Sequence, residues 1–188
     1  MKISSLSRLC FALSLSLAAP LVFSGCGSGP AEVPTTYVAF TASDNSFSGN
    51  GPAGWEKQAG DMGGTVGKVA FTSGGARILI TSDSASSFLG DAVKMGQKPP
   101  VEVVHENGLN GLQRDFGDFS PMAMQTVTSP IGPARYSEWT GGGMHGYRAT
   151  MLGPQRAILI DCRCPEAEWA ALKPAFFKVF TDLKAGNS

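Results

Sequence analysis

The chain has 188 residues with 24 Gly, 12 Pro and only 16% charged side chains, a balance that favours short strands and turns over long surface helices. Its 15 basic and 15 acidic residues cancel, and they form no Lys/Arg cluster, which argues against a nucleic-acid partner. The length allows one ordinary domain that buries an adequate core without metals or disulfides.

Lys2 and Arg8 make a positively charged start, and Leu9–Phe23 is an uncharged run of 15 residues interrupted by Pro20. A stable bilayer-spanning helix needs roughly 20 apolar residues, so this run is short for one. Small residues then precede a cysteine in Phe23-Ser24-Gly25-Cys26. The segment resembles the lipobox of bacterial lipoproteins, with Phe23 where the motif usually has Leu. The alternatives are a spanning anchor, or ordinary signal-peptidase cleavage with Cys26 as a bystander; Ser24 and Gly25 fit neither better. The resemblance implies that residues 1–25 are a signal peptide removed by signal peptidase II and that Cys26 is lipidated with palmitate-type chains. Lys2 and Arg8 leave with the leader, so 13 of 15 basic residues remain against 15 acidic ones, a net charge near −2. One acyl chain binds a membrane reversibly, at about 0.8 kcal/mol per buried CH₂; the several chains of a lipoprotein hold it permanently. Gly27 in place of Asp implies sorting to the outer membrane, facing the periplasm, in a Gram-negative host. Residues 26–36 (Gly27-Ser28-Gly29-Pro30, then Val33-Pro34-Thr35-Thr36) read as a tether, flexible first and stiffer later, reaching at most about 35 Å.

Residues 37–188 read as a single domain. Tyr37–Ala42 is a predicted strand ending at the turn Ser43-Asp44-Asn45, and Phe47 with Gly51-Pro52-Ala53-Gly54 leads into a second strand at Trp55–Ala59. Gly67–Thr72 and Ala76–Ser82 form a hairpin across Ser73-Gly74-Gly75. Ile78 and Ile80 face one side and Leu79 the other, so both faces of the sheet carry cover. Ser84 caps a helix over Ala85–Met95, and Pro99-Pro100 starts a second whose Val101, Val104 and His105 share a face. Gly108 and Gly111 interrupt it, with Leu112, Phe116 and Phe119 continuing in a third helical segment. Three antiparallel strands follow at Ala134–Thr140, His145–Leu152 and Gln155–Arg163. A helix then starts at Pro165, with a restart at Pro174 and an apolar stripe of Trp169, Leu172, Phe176, Val179, Phe180 and Leu183. The order gives an α+β domain, a mostly antiparallel sheet with helices on both faces.

Phe47 before Pro52-Ala53-Gly54-Trp55, then a hairpin, a helical insertion, three strands and the aromatic helix from Trp169 to Leu183, is similar to the PsbP/Mog1-like α/β/α sandwich. The resemblance spans residues 37–184. It implies a binding scaffold: PsbP-type proteins bind and stabilise a membrane complex, and Mog1-type proteins bind a GTPase. It carries over no functional residue from either branch.

Cys162 and Cys164 flank Arg163 and share the strand face of Ile158 and Ile160. They are a candidate disulfide or redox pair, yet same-face Cβ atoms on one strand lie beyond the usual 3.5–4.5 Å unless the strand kinks near Pro165. The alternative is two semi-buried thiols. His105, Glu106, His145, Cys164 and the methionines Met122, Met124, Met144 and Met151 are soft or borderline ligands that could suit copper or zinc, but no pair has metal-site spacing and methionine also fills cores. Gly141-Gly142-Gly143 reads as a hairpin loop, and neither a Gly-x-Ser-x-Gly elbow nor a His-Glu-x-x-His helix is present. Sequence reasoning therefore favours a non-enzymatic, membrane-anchored module with a protein partner in the cell envelope and no cofactor. The competing expectation is a metal- or redox-handling lipoprotein built on Cys162, Cys164 and His145.

Overall fold

The computed structural model of the protein describes residues 29–61, 67–87 and 98–186. The segment read as a signal peptide, Cys26 and most of the helix expected over Ala85–Met95 lie outside the described residues; of that helix only Ala85–Ser87 are described, and they are helical. In chain order the strands are β1 (Tyr37–Thr41), β2 (Phe47–Pro52), β3 (Glu56–Asp61), β4 (Gly67–Ser73) and β5 (Ala76–Ser84). Helix α1 (Pro100–Asp115) follows, then β6 (Ser120–Pro121), β7 (Gln125–Val127), β8 (Ala134–Gly141), β9 (Met144–Leu152) and β10 (Arg156–Pro165). One 3-10 turn (Glu166–Glu168), helix α2 (Trp169–Thr181) and the short β11 (Lys184–Ala185) complete the chain.

The large sheet runs β3-β4-β5-β10-β9-β8-β6, with β7 also on β8, and every pairing is antiparallel. A small sheet, β1-β2-β11, packs with α2 on one face, and α1 covers the other face over β8 and β9. The α2 face holds the apolar core. Val69, Phe71, Ile78, Ile80, Tyr147, Met151, Ile158 and Ile160 point into it, against Leu172, Phe176, Val179 and Leu183. Period-two alternation in β5 and β10 makes this work, since it sets apolar residues beside one another at the centre of that face, Ile160 beside Ile80 and Cys162 beside Ile78. Among the described residues, no helix is long and apolar enough to cross a membrane.

Three local expectations change. The stretch around Phe47–Pro52, expected to lead into a strand, is itself β2, paired to β1 and carrying β11 on its other edge. Its glycines are part of the packing: a Cβ on Gly51 would fall inside the Phe71 ring. Gly108 and Gly111 do not break α1, which runs unbroken for 16 residues with Pro100 in its first turn, Glu102 near its positive end and Arg114 near its negative end. Phe116 and Phe119 therefore lie beyond the helix, and both rings pack on Trp139, at 4.9 and 5.6 Å between centroids. Finally, α2 starts at Trp169, because β10 continues through Cys164 to Pro165, and Pro174 sits inside the helix without ending it.

Residues 29–36, the described part of the segment read as a tether, lie along the body. The Ala31 amide donates to Glu168 Oε2 at 3.0 Å, the Glu32 amide to Ser73 Oγ at 3.0 Å, and Trp55 Nε1 to the Glu32 carbonyl at 2.9 Å.

Candidate functional site

Two polar clusters and a cavity sit in this frame. The first lies at the Pro165 end of β10 on the α2 face. β9 presents His145, β8 presents Tyr136 and Glu138, the 3-10 turn presents Glu166, and α2 presents Trp169 and Lys173. Glu138 Oε1 accepts from Tyr136 Oη at 2.6 Å and from Lys173 Nζ at 2.7 Å. His145 Nδ1 meets Glu166 Oε1 at 3.1 Å, and its Nε2 lies 3.4 Å from Glu138 Oε2, an ion-pair approach longer than a hydrogen bond. Burial pushes the Glu138 carboxyl up, but the bonds from Lys173 and Tyr136 outweigh it and hold the group below the ordinary carboxylate range.

Cys164 is the cross-strand neighbour of His145, and Cys162 of Tyr147. Both are free thiols, fully buried on the face of Ile158 and Ile160. Burial raises both; Glu168 and Glu166 help push Cys164 to about 12, and Cys162 is raised well above its ordinary value. The thiolate is the nucleophile and the ligand, so near neutral pH these side chains behave as small apolar core residues. Met151 is in the core, whereas Met122 and Met124 lie on the β6–β7 stretch, with β8 and β9 between them and β10. Among the described residues, no group of three or more His, Cys, Asp or Glu side chains is arranged to hold a metal ion.

The second cluster is under α1. His105 is fully buried, with Nδ1 3.1 Å from Thr150 Oγ1 and Nε2 3.0 Å from Ser137 Oγ. Burial, with Arg148 and Arg135 nearby, lowers its pKa to about 4, so the ring is neutral at pH 7. Its sequence neighbour Glu106 turns outward to Lys98 at 2.6 Å, so the two cannot share an ion. Arg135 pairs with Glu102 at 2.7 Å, and Arg148 Nη1 reaches Asp161 Oδ2 at 3.7 Å. Burial raises the Asp161 carboxyl against the pull of Arg148, Arg163 and Arg77. Sequence reasoning found His105 through the α1 face but missed Arg148 and Asp161, which sit on β9 and β10 on the sheet face opposite the apolar core.

The third feature is a cavity of about 220 Å³ at the opposite end of β10, lined among others by Ser46, Ile131, Pro154, Gln155, Arg156 and Gly186. Arg156 Nη1 lies 3.4 Å from Asp44 Oδ2 at this end. The loop Gly141-Gly142-Gly143 is the β8–β9 hairpin turn, with positive φ of 60° at Gly142 and 72° at Gly143, and the Gly142 amide donates to Asp118.

No family profile matches the chain, and no curated protein matches it. Solved structures do. The solution structure of PsbP from the cyanobacterium Synechocystis superposes with a TM-score of 0.59 at 12% identity, covering 87% of this chain and 98% of that one. The crystal structure of the Ran-binding protein Mog1p from Saccharomyces cerevisiae does so with a TM-score of 0.51 at 9% identity, covering 80% and 95%. Identities this low speak to architecture alone, and on that level the domain is an α+β sandwich of the PsbP/Mog1 fold.

Proposed function

We propose that this chain is a lipid-anchored protein of the bacterial envelope, facing the periplasm, whose domain is a non-enzymatic binding or scaffold module for an envelope protein or complex. One observation carries the reading. The side chains best suited to chemistry, Cys162, Cys164 and His105, are sealed in the interior, whereas the loop-end cavity opens at the far end of β10 from the N-terminal segment. Residues 31–32 dock against Ser73 and Glu168, beside Pro165. Ten strand residues span about 30 Å, so an anchor three residues before Gly29 leaves the Gln155–Arg156 end pointing away from the lipid. Mog1p, by its name a Ran-binding protein, supports the use of this fold as a docking scaffold.

A photo-cross-linking residue at Pro154 or Gln155, in native membranes, should trap one discrete partner that a probe at Lys57 on the β3 edge does not. Random neighbours from both positions would overturn the reading. Replacing Cys26 by Ser should abolish palmitate labelling and membrane fractionation; unchanged labelling and processing would refute the anchor.

A further inference from the structure

Residues 29–36 have the composition of a free tether, yet the body holds them at several points. The Ala31 amide donates to Glu168 Oε2 and the Glu32 amide to Ser73 Oγ, both at 3.0 Å. Trp55 Nε1 donates to the Glu32 carbonyl at 2.9 Å, and the Ala53 amide donates to the Thr36 carbonyl at 3.0 Å. Ala31 also packs against the apolar core. The β4–β5 turn is shaped to receive the segment: Gly74 has a positive φ of 51°, and a Cβ on it would fall on the Gly29 carbonyl and the Ala31 amide. These partners gather at one end of the molecule, because the next residue of that turn, Gly75, lies against Pro165 at the end of β10, and Glu168 follows in the 3-10 turn.

We propose that this segment is a clamp, and that it holds the end of the body formed by the β4–β5 turn and the 3-10 turn against a lipid bilayer. The inference rests on the lipid anchor proposed at Cys26. Three residue steps separate that cysteine from Gly29, a reach of at most about 10 Å, where a free segment as far as Thr36 would reach about 35 Å. Charge is not what seats this end. Glu32, Glu166 and Glu168 stand there together with Arg77 and Arg163, a mixture that gives anionic headgroups no basic patch. The short reach and the docked segment set the orientation instead. β10 then stands away from the bilayer, and its ten residues put the Gln155 end within about 40 Å of the headgroups, so the module meets partners held at the same membrane.

The test uses the lipidated protein in vesicles of phosphatidylethanolamine and phosphatidylglycerol that carry a headgroup-labelled acceptor lipid of short transfer range. A donor fluorophore is attached at Glu166→Cys or at Gln155→Cys, the native Cys162 and Cys164 being buried. Transfer from position 166 should exceed transfer from position 155 several-fold, since the two lie at opposite ends of a strand about 30 Å long. Ten Gly and Ser residues inserted between Ser28 and Gly29 give the anchor slack and should at least halve that ratio. Trp55→Phe with Ser73→Ala, which removes both bonds to Glu32 and keeps an aromatic ring, should lower it as well. Equal transfer from both positions in the wild type overturns the proposal, and so does a ratio that neither the insertion nor the double variant lowers. Failure of the anchor reading is a separate result, in which the purified chain carries no acyl group and does not enter vesicles. The same two donors are then read on the chain from Cys26 onward, coupled through the Cys26 thiol to a maleimide lipid, and the same outcomes decide.

Discussion

The His145 imidazole lies flat on the Trp169 indole, with ring centroids 4.0 Å apart and planes within 9°. This contact fastens β9 to the first residue of α2 while Glu138 and Glu166 approach the two ring nitrogens. Trp169 is also packed on Phe176 and is nearly buried, so Trp169→Ala should cost about 3–5 kcal/mol in urea unfolding. His145→Ala, which loses the stack and the partly exposed hydrogen bond with Glu166, should cost about 1–2 kcal/mol. Because the residues touch, the double variant should lose less than the sum. Full additivity would mean that the stack contributes nothing.

The two helix glycines of α1 should respond with opposite signs to the same substitution. A Cβ on Gly108 would collide with the Arg148 guanidinium, which is held beside Asp161. A Cβ on Gly111 would meet only Arg114 Nη2, at 3.9 Å. Gly111→Ala should therefore stabilise by about 0.5–1 kcal/mol through helix propensity, and Gly108→Ala should destabilise by about 1–3 kcal/mol. Chemical denaturation of the two variants side by side checks both signs.

His105 imposes a pH dependence on stability. Unfolded histidine titrates near 6.5, whereas the buried ring titrates at about 4. Between these values the unfolded chain binds more protons, so stability falls as the pH drops through this window and levels off below it. The gap corresponds to about 3 kcal/mol. His105→Gln keeps polar atoms for Ser137 and Thr150 but does not titrate. The stability difference between wild type and this variant should thus shrink by that amount from pH 7 to pH 4. A constant difference would show that the proton on His105 is not what changes.

Cys162 and Cys164 should be invisible to a thiol reagent until the domain opens. In native buffer at pH 8 Cys162 and Cys164 should label slowly, at a rate set by unfolding; in denaturant both thiols should react at once. Rapid native labelling, or the recovery of a Cys162–Cys164 disulfide, would contradict the buried free thiols of the structure.

Much of the frame was legible from side-chain periodicity. Ile78 and Ile80, the alternation of β10, and the stripe from Trp169 to Leu183 all announce their faces, because each strand or helix buries one side. β2 was not legible: Ser48-Gly49-Asn50-Gly51-Pro52 has no apolar alternation, and it becomes a strand only because β1 and β11 pair with it and Phe71 needs the space at Gly51. The continuity of α1 was masked by two glycines, one of which is dictated by Arg148, a contact across 40 positions. The clusters at His145 and Asp161 escaped for the same reason. Glu138, Glu166 and Lys173 are ordinary surface letters until the sheet and α2 bring them to one imidazole.

The position of β10 bears on how the molecule is made. It joins two halves of the sheet, pairing with β5 on one side and β9 on the other, and Ile160 finds Ile80 eighty positions back along the chain. A nascent chain therefore carries β3–β5 and β6–β9 as two separate pieces, each with a bare inner edge, until Arg156–Pro165 emerges. Bare edges are where chains pair with the wrong partner, and contacts this distant in sequence form slowly. Any copy truncated ahead of Arg156 is left with both edges open, so aggregation of incomplete chains is the hazard built into this order of strands.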